Sequence, residues 1–247
     1  MNFEGKNAVF ELLNSDKTVE KVIFENKAFD DKLHQIFELA KSKGIKTENA
    51  AKKQLDKLSE TGKHQGVIAV ASDFVYSDLG EVIANARNKG EQILLVLLDG
   101  VLDPHNLGSV LRVAECVSAT AVVIPKNRSA VVNETVVRVS AGAAAYVSVC
   151  KVSNLASTIE SLKQKNIWVY SCDMQGDTMY NTDLVGDVAI VVGGEGQGVS
   201  ALVNKKCDKI ISIPMFGKIN SLNASVSAGI VLYEVTRQRL QKQSKKA

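Results

Sequence analysis

Continuous apolar runs alternate with helical patterns from residue 93 onward. The runs read ILLVLL, AVVIP, YVSV, IWVYS, VAIVVG and KIISIPM, and helix-length stretches or loops separate most of them. A strand that is apolar at every position has both faces covered, which is typical of a parallel sheet packed between helices. The pattern therefore predicts an α/β domain with a parallel sheet over residues 92–247.

The residues before this region show a smaller pattern of the same class. Apolar strands are predicted at 19–25 and 67–72. A helix is predicted between them from apolar residues at helical spacing, namely Leu33, Ile36, Phe37 and Ala40. We therefore predict a small α/β domain over 1–75, followed over 76–91 by a linker and a connecting amphipathic helix.

The composition excludes several classes of protein. Hydrophobic residues make up 45% of the chain and charged residues 23%, as in an ordinary globular protein, and the net charge of +3 does not by itself indicate nucleic-acid binding. The 4 cysteines and 3 histidines are isolated, so we predict no metal site and expect the cysteines to be buried, reduced thiols. No apolar run approaches the roughly 18 residues of a membrane helix, so we expect a cytoplasmic protein with no membrane partner.

The turn after the first apolar run reads LDGVLDPHNLGSVLR. Asn106 suits a helix cap, and a helix that begins over 108–112 would place Arg112 in its first or second turn, near the strand ends. A guanidinium at such a place can hold a phosphate by two hydrogen bonds. An ordinary capped turn explains the aspartates and Pro104 equally well.

A second turn, VVGGEGQGVS, has glycine at 193, 194, 196 and 198. Glycine lets backbone amides approach a ligand closely, but it also serves in a plain tight turn. The dinucleotide fingerprint G-x-G-x-x-G fails here because Val199 stands where its third glycine belongs. Glu195 is either a functional carboxylate or a charge that complements a helix dipole.

The third turn lies between KIIS and the last helix. Ser221 and Asn223 precede that helix, and two such residues exceed what capping alone requires. The neighbouring residues would form an apolar wall suited to a flat adenine ring, and they are Ile213, Pro214, Met215 and Leu222.

Taken together, D-P-H-N-L-G-S-V-L-R, V-G-G-E-G-Q-G and I-S-I-P-M with N-S-L-N-A-S-V-S resemble the three motifs of the SpoU (TrmH-type) RNA ribose methyltransferases, over 93–240. G-K-N-A-V at 5–9 and H-Q-G-V-I at 64–68 are similar to the small ribosomal-protein-like (L30e-like) RNA-binding domain of the subgroup that acts on 23S ribosomal RNA. P-K-N-R-S-A at 125–130 resembles its guanosine-specific member. The resemblance implies a SPOUT-type carboxyl-terminal domain with a trefoil knot, S-adenosylmethionine as cofactor, and a homodimer whose sites use both subunits.

Site residues follow from the resemblance position by position. The catalytic residues match Asn106, Arg112, Glu195, Ser221 and Asn223. The cofactor-binding residues match Gly193, Gly194, Glu195, Ile213, Pro214, Met215, Leu222 and Asn223. For RNA binding we expect the cations flanking the second strand of the large domain, Lys126, Arg128 and Arg138, with Tyr146 and Phe216 as candidate stacking side chains.

The expected function is transfer of a methyl group from S-adenosylmethionine to a ribose 2′-OH, of a guanosine by resemblance, in 23S ribosomal RNA. Since a guanidinium stays charged, we expect Arg112 to clamp the phosphodiester and polarise the hydroxyl, while the phosphate or a water accepts the proton. Three alternatives remain: a transfer-RNA ribose methyltransferase, a non-catalytic RNA-binding factor of ribosome assembly, and a generic nucleotide-binding α/β enzyme.

Overall fold

The computed structural model describes the chain except residues 16, 18, 28, 72, 73, 195, 197 and 245–247, and except the side chain at position 20. The chain divides into two compact units. Unit 1 comprises Met1–Val75 and Val131–Tyr146, and unit 2 comprises Tyr76–Ala130 and Val147–Ala247. Each unit has its own sheet.

Helices and strands alternate along most of the chain. The elements up to residue 88 are β1 Asn2–Glu4, α1 Lys6–Asn14, β2 Val19–Glu25, α2 Asp31–Ser42, β3 Lys46–Ala50, α3 Lys52–Leu58, β4 Val67–Ala71 and α4 Leu79–Asn88. The next are β5 Leu94–Asp99, α5 Pro104–Cys116, β6 Ala121–Pro125, α6 Glu134–Val139, β7 Val149–Val152 and α7 Leu155–Gln164. The last are β8 Trp168–Thr178, β9 Val188–Gly193, α8 Ala201–Lys206, β10 Lys209–Ser212 and α9 Ala224–Ser244.

In unit 1 the described strands form a mixed sheet of order β1-β4-β2-β3. β2 pairs with β3 in parallel, and β4 is antiparallel to both β1 and β2. The helix α2 begins where Asp30 accepts a hydrogen bond from the amide of Leu33 at 3.0 Å, and it buries Leu33, Ile36 and Ala40 against this unit. The predicted strand at 19–25, residues 67–71 of the predicted strand at 67–72 and the helix between them are confirmed, while residue 72 lies outside the described residues. The elements α1, α3, β1 and β3 were not predicted.

In unit 2 the described strands form a six-stranded sheet of order β10-β8-β9-β5-β6-β7, in which each neighbouring pair is parallel. Residues 94–98 of β5 are buried at every position because strands pair with it on both sides and helices cover its faces. The predicted parallel α/β sheet is therefore confirmed. The trefoil knot stays a prediction.

Three boundaries differ from those the apolar runs predict. The helix α5 begins at Pro104, because Asp103 caps it by accepting the amide of His105 at 2.9 Å and proline fits the first helical position. Asn106 therefore lies in the first turn and is not the cap, and Arg112 lies in the third turn. β7 occupies 149–152 instead of the run YVSV, and β8 continues well past IWVYS to Thr178.

Unit 1 includes a segment that lies between β6 and β7 in the chain. In this segment Glu134 accepts a hydrogen bond from the backbone amide of Asn2 at 2.9 Å, and the Tyr146 hydroxyl donates to the Glu11 carboxylate. The guanidinium of Arg138 lies 3.9 Å from the buried carboxylate of Glu4. Tyr146 and Arg138, both predicted to contact RNA, therefore each have a partner within unit 1. The ranges 1–75, 76–91 and 92–247 as functional domains stay a prediction.

Buried Glu134 makes the stability of unit 1 depend on pH. Burial, with the nearby carboxylates of Glu60 and Glu4, raises the pKa of Glu134 from its ordinary 4.5 to about 7. Because the folded state holds this proton more tightly than the unfolded state, its contribution is full below about pH 4.5 and is lost as pH rises through 7. We expect wild-type protein to lose up to about 3 kcal/mol of unfolding free energy over this range relative to Glu134→Gln.

Urea denaturation at pH 5 and pH 8 measures that difference. Glu38→Gln is the control, since Glu38 is an exposed carboxylate on α2 in the same unit. A gap between wild type and Glu134→Gln that stays the same at both pH values would contradict the assignment.

Candidate active site

A cavity of about 620 Å³ opens in unit 2 where parallel strands end. Its described lining comes from three stretches: residues 172–174 in β8, residues 192–198 at the end of β9, and residues 213–227 between β10 and the first turn of α9. Ligands of open parallel sheets gather beyond the carboxyl ends of strands, and the volume is typical of a small-molecule site. The second and third predicted turns therefore meet at one cavity.

The glycines after β9 are required by close backbone approach. A Cβ on Gly193 would lie 2.0 Å from the carbonyl carbon of Gly198, and one on Gly194 would lie 2.1 Å from the carbonyl oxygen of Gly100. Gly196 and Gly198 have φ angles of +83° and +63°, which L side chains rarely adopt. The loop therefore presents backbone to the cavity. Glu195, which the sequence predicts to be functional, lies outside the described residues.

Asp99 holds this glycine loop at both ends, and the sequence analysis did not single it out. Its carbonyl oxygen accepts the amide of Gly194 at 2.8 Å, and its carboxylate accepts the amide of Ser200 at 2.8 Å. Asp99 lies at the end of β5, in register with Gly193 of β9. An aspartate that directly ends an apolar strand beside a glycine loop was the signal in the sequence.

The interrupted pairing of β8 explains a stretch that the sequence did not predict. Ser171 pairs with Ile210, but the next paired residue of β8 is Asp177, opposite Ile211. The residues between them leave the ladder, and Cys172, Asp173 and Met174 among them line the cavity. No local pattern in the sequence marks this bulge, since it depends on the neighbouring strand.

The apolar wall predicted for the cavity forms in large part. Ile213, Met215 and Leu222 line the cavity, whereas Pro214 does not belong to the lining. Side chains of this kind match the flat apolar surface of an aromatic ligand. Asn220, Ser221 and Ser227 add polar groups to the same lining, and of these only Ser221 was predicted.

Two asparagines from separate motifs meet beside this wall. The side-chain amide of Asn223 donates to the side-chain oxygen of Asn106 at 2.8 Å. The Asn223 oxygen accepts from the amide of Ser225 at 2.9 Å and from its hydroxyl at 2.6 Å, so it caps the first turn of α9. Asn106 is buried in α5. One residue thus caps a helix and joins two motifs.

The predicted cations lie apart from this lining. Arg112 is on the exposed side of α5 and does not line the cavity. Lys126 and Arg128 are exposed in the turn after β6, where Arg128 has a φ of +56°. The cavity of one chain therefore brings together the second and third motifs. Asn106 of the first motif joins them through its bond to Asn223, whereas Arg112 does not reach the cavity.

Cys172, whose thiol lies at the cavity, is not a nucleophile at neutral pH. Burial raises the pKa of Cys172 to about 12 and that of Cys207 to about 11, so both remain protonated. The cysteines are free, as expected, but the prediction that all four are buried is wrong, since Cys172 and Cys207 are half-buried and Cys116 is exposed at the end of α5. The reason is that Cys116 falls on the solvent side of its helix.

Among the described residues no group of three His, Cys, Asp or Glu side chains is arranged to hold a metal ion. In the same part of the chain, no helix has the length and apolar content needed to cross a bilayer.

Comparison with solved structures supports the fold. The SpoU methyltransferase AviRb of Streptomyces viridochromogenes, solved with AdoMet, superposes with a TM-score of 0.83 at 23% identity, over 97% of this chain and 90% of that chain. A TrmH/SpoU tRNA modifying enzyme of A. aeolicus gives a TM-score of 0.57 at 28% identity, over 65% of this chain and 86% of that chain.

Comparison of sequences gives the family. Residues 93–233 match the model of the SpoU rRNA Methylase family, and residues 3–77 match the RNA 2′-O ribose methyltransferase substrate binding model. The TrmH-family protein YacO of Bacillus subtilis is 42% identical over 95% of this chain and 94% of its own length. A TrmH-family protein of Staphylococcus saprophyticus is 39% identical over the same shares of the two chains. The chain therefore belongs to the SpoU family of RNA methyltransferases.

Proposed function

We propose that this enzyme methylates the ribose 2′-OH of one guanosine in 23S ribosomal RNA, with S-adenosylmethionine as the methyl donor of its family. The observation that carries the proposal is the junction of Asn223 and Asn106 beside a cavity that is walled by glycine backbone and apolar side chains. Bound there, the donor supplies a methyl group on a sulfonium centre, and the chain's own residues position the acceptor.

The cavity fits this donor chemically. A Cβ at Gly193 or Gly194 would collide with the backbone of Gly198 or Gly100, so the loop can close only as bare backbone, and in that form it lines the cavity. Ile213, Met215 and Leu222 offer apolar contact to a purine ring. We assign Glu195 and Pro214 to the same binding loops on the strength of the family motif.

The polar groups of the third motif are suited to orient an alcohol. The Asn223 amide is fixed at both ends, by Asn106 on one side and by the start of α9 on the other. Ser221 contributes a hydroxyl to the same lining. Holding a ribose hydroxyl in line at about 3 Å accounts for most of the acceleration that such a displacement needs, roughly 7 to 11 kcal/mol.

We assign Arg112 to the target phosphodiester, and the phosphate or a water to the proton. A guanidinium keeps its charge, which suits a clamp better than a base. Arg112 does not line the cavity of its own chain, and we therefore assign it to the cavity of a second copy in a homodimer.

A homodimer also agrees with the surface of α9. Val226, Tyr233 and Leu240 are exposed apolar side chains at seven-residue spacing, so they share one face of this helix. Analytical ultracentrifugation tests the dimer, and a monomer with full activity would exclude it.

Ribosomal RNA is favoured over transfer RNA by unit 1. The substrate-binding model matches residues 3–77, whereas the A. aeolicus tRNA enzyme aligns with only 65% of this chain. The curated relatives carry tRNA/rRNA names, which leave the choice open. We expect Lys126, Arg128 and Arg138 to contact phosphates, and we expect the enzyme to work in the cytoplasm.

The deciding experiment incubates the protein with labelled S-adenosylmethionine and unmodified 23S, 16S or transfer RNA, and then maps the labelled ribose. Label at one 23S guanosine supports the proposal, and label in transfer RNA alone would select the alternative substrate. Donor binding in calorimetry without label in any RNA would favour the non-catalytic assembly factor.

Arg112→Lys should lower turnover about tenfold or more, because lysine keeps the charge but loses the two-pronged hydrogen bond to phosphate. Single-turnover methylation and RNA binding are measured together. Glu115→Gln, an exposed change on the same helix, is the control. Near-full turnover of Arg112→Lys would refute the clamp.

Substitutions of Asn223 separate its two tasks. Asn223→Ala loses both the cap and the bridge, and should cost about 1 kcal/mol of stability for the cap in addition to the cost of the lost bond to Asn106, together with activity. Asn223→Ser keeps a capping hydroxyl but cannot reach Asn106, so it should be about 1 kcal/mol more stable than Asn223→Ala and still lose activity. Thermal unfolding and methylation rates measure the two effects. An active Asn223→Ser enzyme would show that the bridge is dispensable.

Gly194→Ala should weaken binding of S-adenosylmethionine more than tenfold, since the new Cβ would lie 2.1 Å from a backbone oxygen and push the loop away. Calorimetry measures the dissociation constant. Gly229→Ala in α9 is the matched control, because its Cβ would meet Val113 at an ordinary 3.8 Å. Equal donor affinity in the two variants would contradict a cradle made of backbone.

A further inference from the structure

The turn between β10 and α9 carries an aromatic ring that the site does not use. Both ends of this turn line the cavity, through Ile213 and Met215 on one side and residues 220–223 on the other. Phe216 lies between them and directly follows Met215, but it does not belong to the lining. Its side chain is 97% exposed, whereas the other six phenylalanines are buried or half-buried.

This exposure is not that of a scattered surface residue. Ile219 in the same turn is 74% exposed, and Met174, which lines the cavity from β8, is 59% exposed. Burial of a phenylalanine would contribute to folding, so a fully exposed ring beside an open cavity indicates a partner that covers it. Lys218, two residues further on, is also exposed and adds a positive charge.

The chemistry of the partner follows from the ring and the charge. A ribose can enter a cavity only if its nucleotide leaves the stack of its neighbours, and aromatic side chains replace the stacking that the base then loses. A lysine close to such a ring can contact the adjoining phosphate. Aromatic rings also occur at protein interfaces, but this ring and this cation lie at the rim of the cavity that the target nucleotide must enter, which favours RNA as the partner.

We propose that Phe216 stacks on the base of the nucleotide whose ribose is methylated, and that Lys218 contacts its phosphate. The inference rests on the proposed function, because it requires RNA at this cavity. Phe216 is then a contact that positions the substrate nucleotide, separate from the residues that hold the methyl donor.

The test is a double-mutant cycle between protein and RNA. Two RNA fragments of the labelled 23S region are compared, one intact and one with an abasic ribose at the target position. Wild type, Phe216→Leu and Phe216→Trp are assayed for RNA binding by fluorescence anisotropy without donor. Donor binding by calorimetry and the oligomeric state by ultracentrifugation are measured for each variant.

We expect Phe216→Leu to weaken binding of the intact fragment about tenfold, which is typical of one lost stacking contact. Phe216→Trp keeps an aromatic ring and should bind the intact fragment as tightly as wild type. On the abasic fragment the two variants and wild type should bind alike, and donor affinity should be unchanged throughout. Lys218→Gln should weaken both fragments by the same factor.

Three outcomes would overturn the inference while the proposed function stands. These are wild-type binding by Phe216→Leu, an equal loss on both fragments, or a change of oligomeric state, which would place Phe216 at a subunit contact. A wild-type protein that methylates no RNA would instead remove the proposed function and this inference with it.

Discussion

The cavity of unit 2 depends on backbone segments that approach more closely than any side chain permits. Gly193 lies against Gly198, Gly194 lies against the carbonyl of Gly100, and Asp99 ties the two ends of the loop together. The parallel sheet creates this constraint, because it brings the carboxyl ends of β5 and β9 side by side. Every other lining residue is arranged around a surface that glycine alone can form.

The second constraint is that a polar side chain at the cavity must be fixed in one orientation while its donor and acceptor groups all keep hydrogen-bond partners. Asn223 meets it by dividing its amide group, with the oxygen on the start of α9 and the nitrogen on Asn106. Asn106 is the buried partner and needs this bond, since an unsatisfied buried amide costs roughly 1 to 3 kcal/mol. Capping of α9 and coupling of the first motif to the third are therefore one arrangement, and the helix itself sets the direction of the amide.

Among the described residues, unit 1 buries two carboxylates. Its buried carboxylates, Glu4 and Glu134, are held by hydroxyls and a backbone amide, with Ser59 and Thr61 donating to Glu4 and Asn2 donating to Glu134. One oxygen of Glu134 has no hydrogen-bond partner among the described residues. The packing of residues 131–146 into unit 1 therefore contributes less to the free energy of unfolding as pH rises and Glu134 loses its proton.

Local pattern by itself determined the parallel sheet, the glycine turn after β9 and the apolar wall of the third turn, and the resemblance of the three motifs supplied the other site residues. These features rest on apolar runs and glycine-rich turns, which act within a few residues of the chain. Tertiary structure decided the rest. The bulge at Cys172 to Met174 depends on pairing with β10. The placement of residues 131–146 in unit 1 depends on partners more than 100 residues away in the chain, as between Asn2 and Glu134. The bond from Asn223 to Asn106 likewise joins positions 117 apart, and the resemblance of the motifs placed both residues in one site but did not give the contact between them.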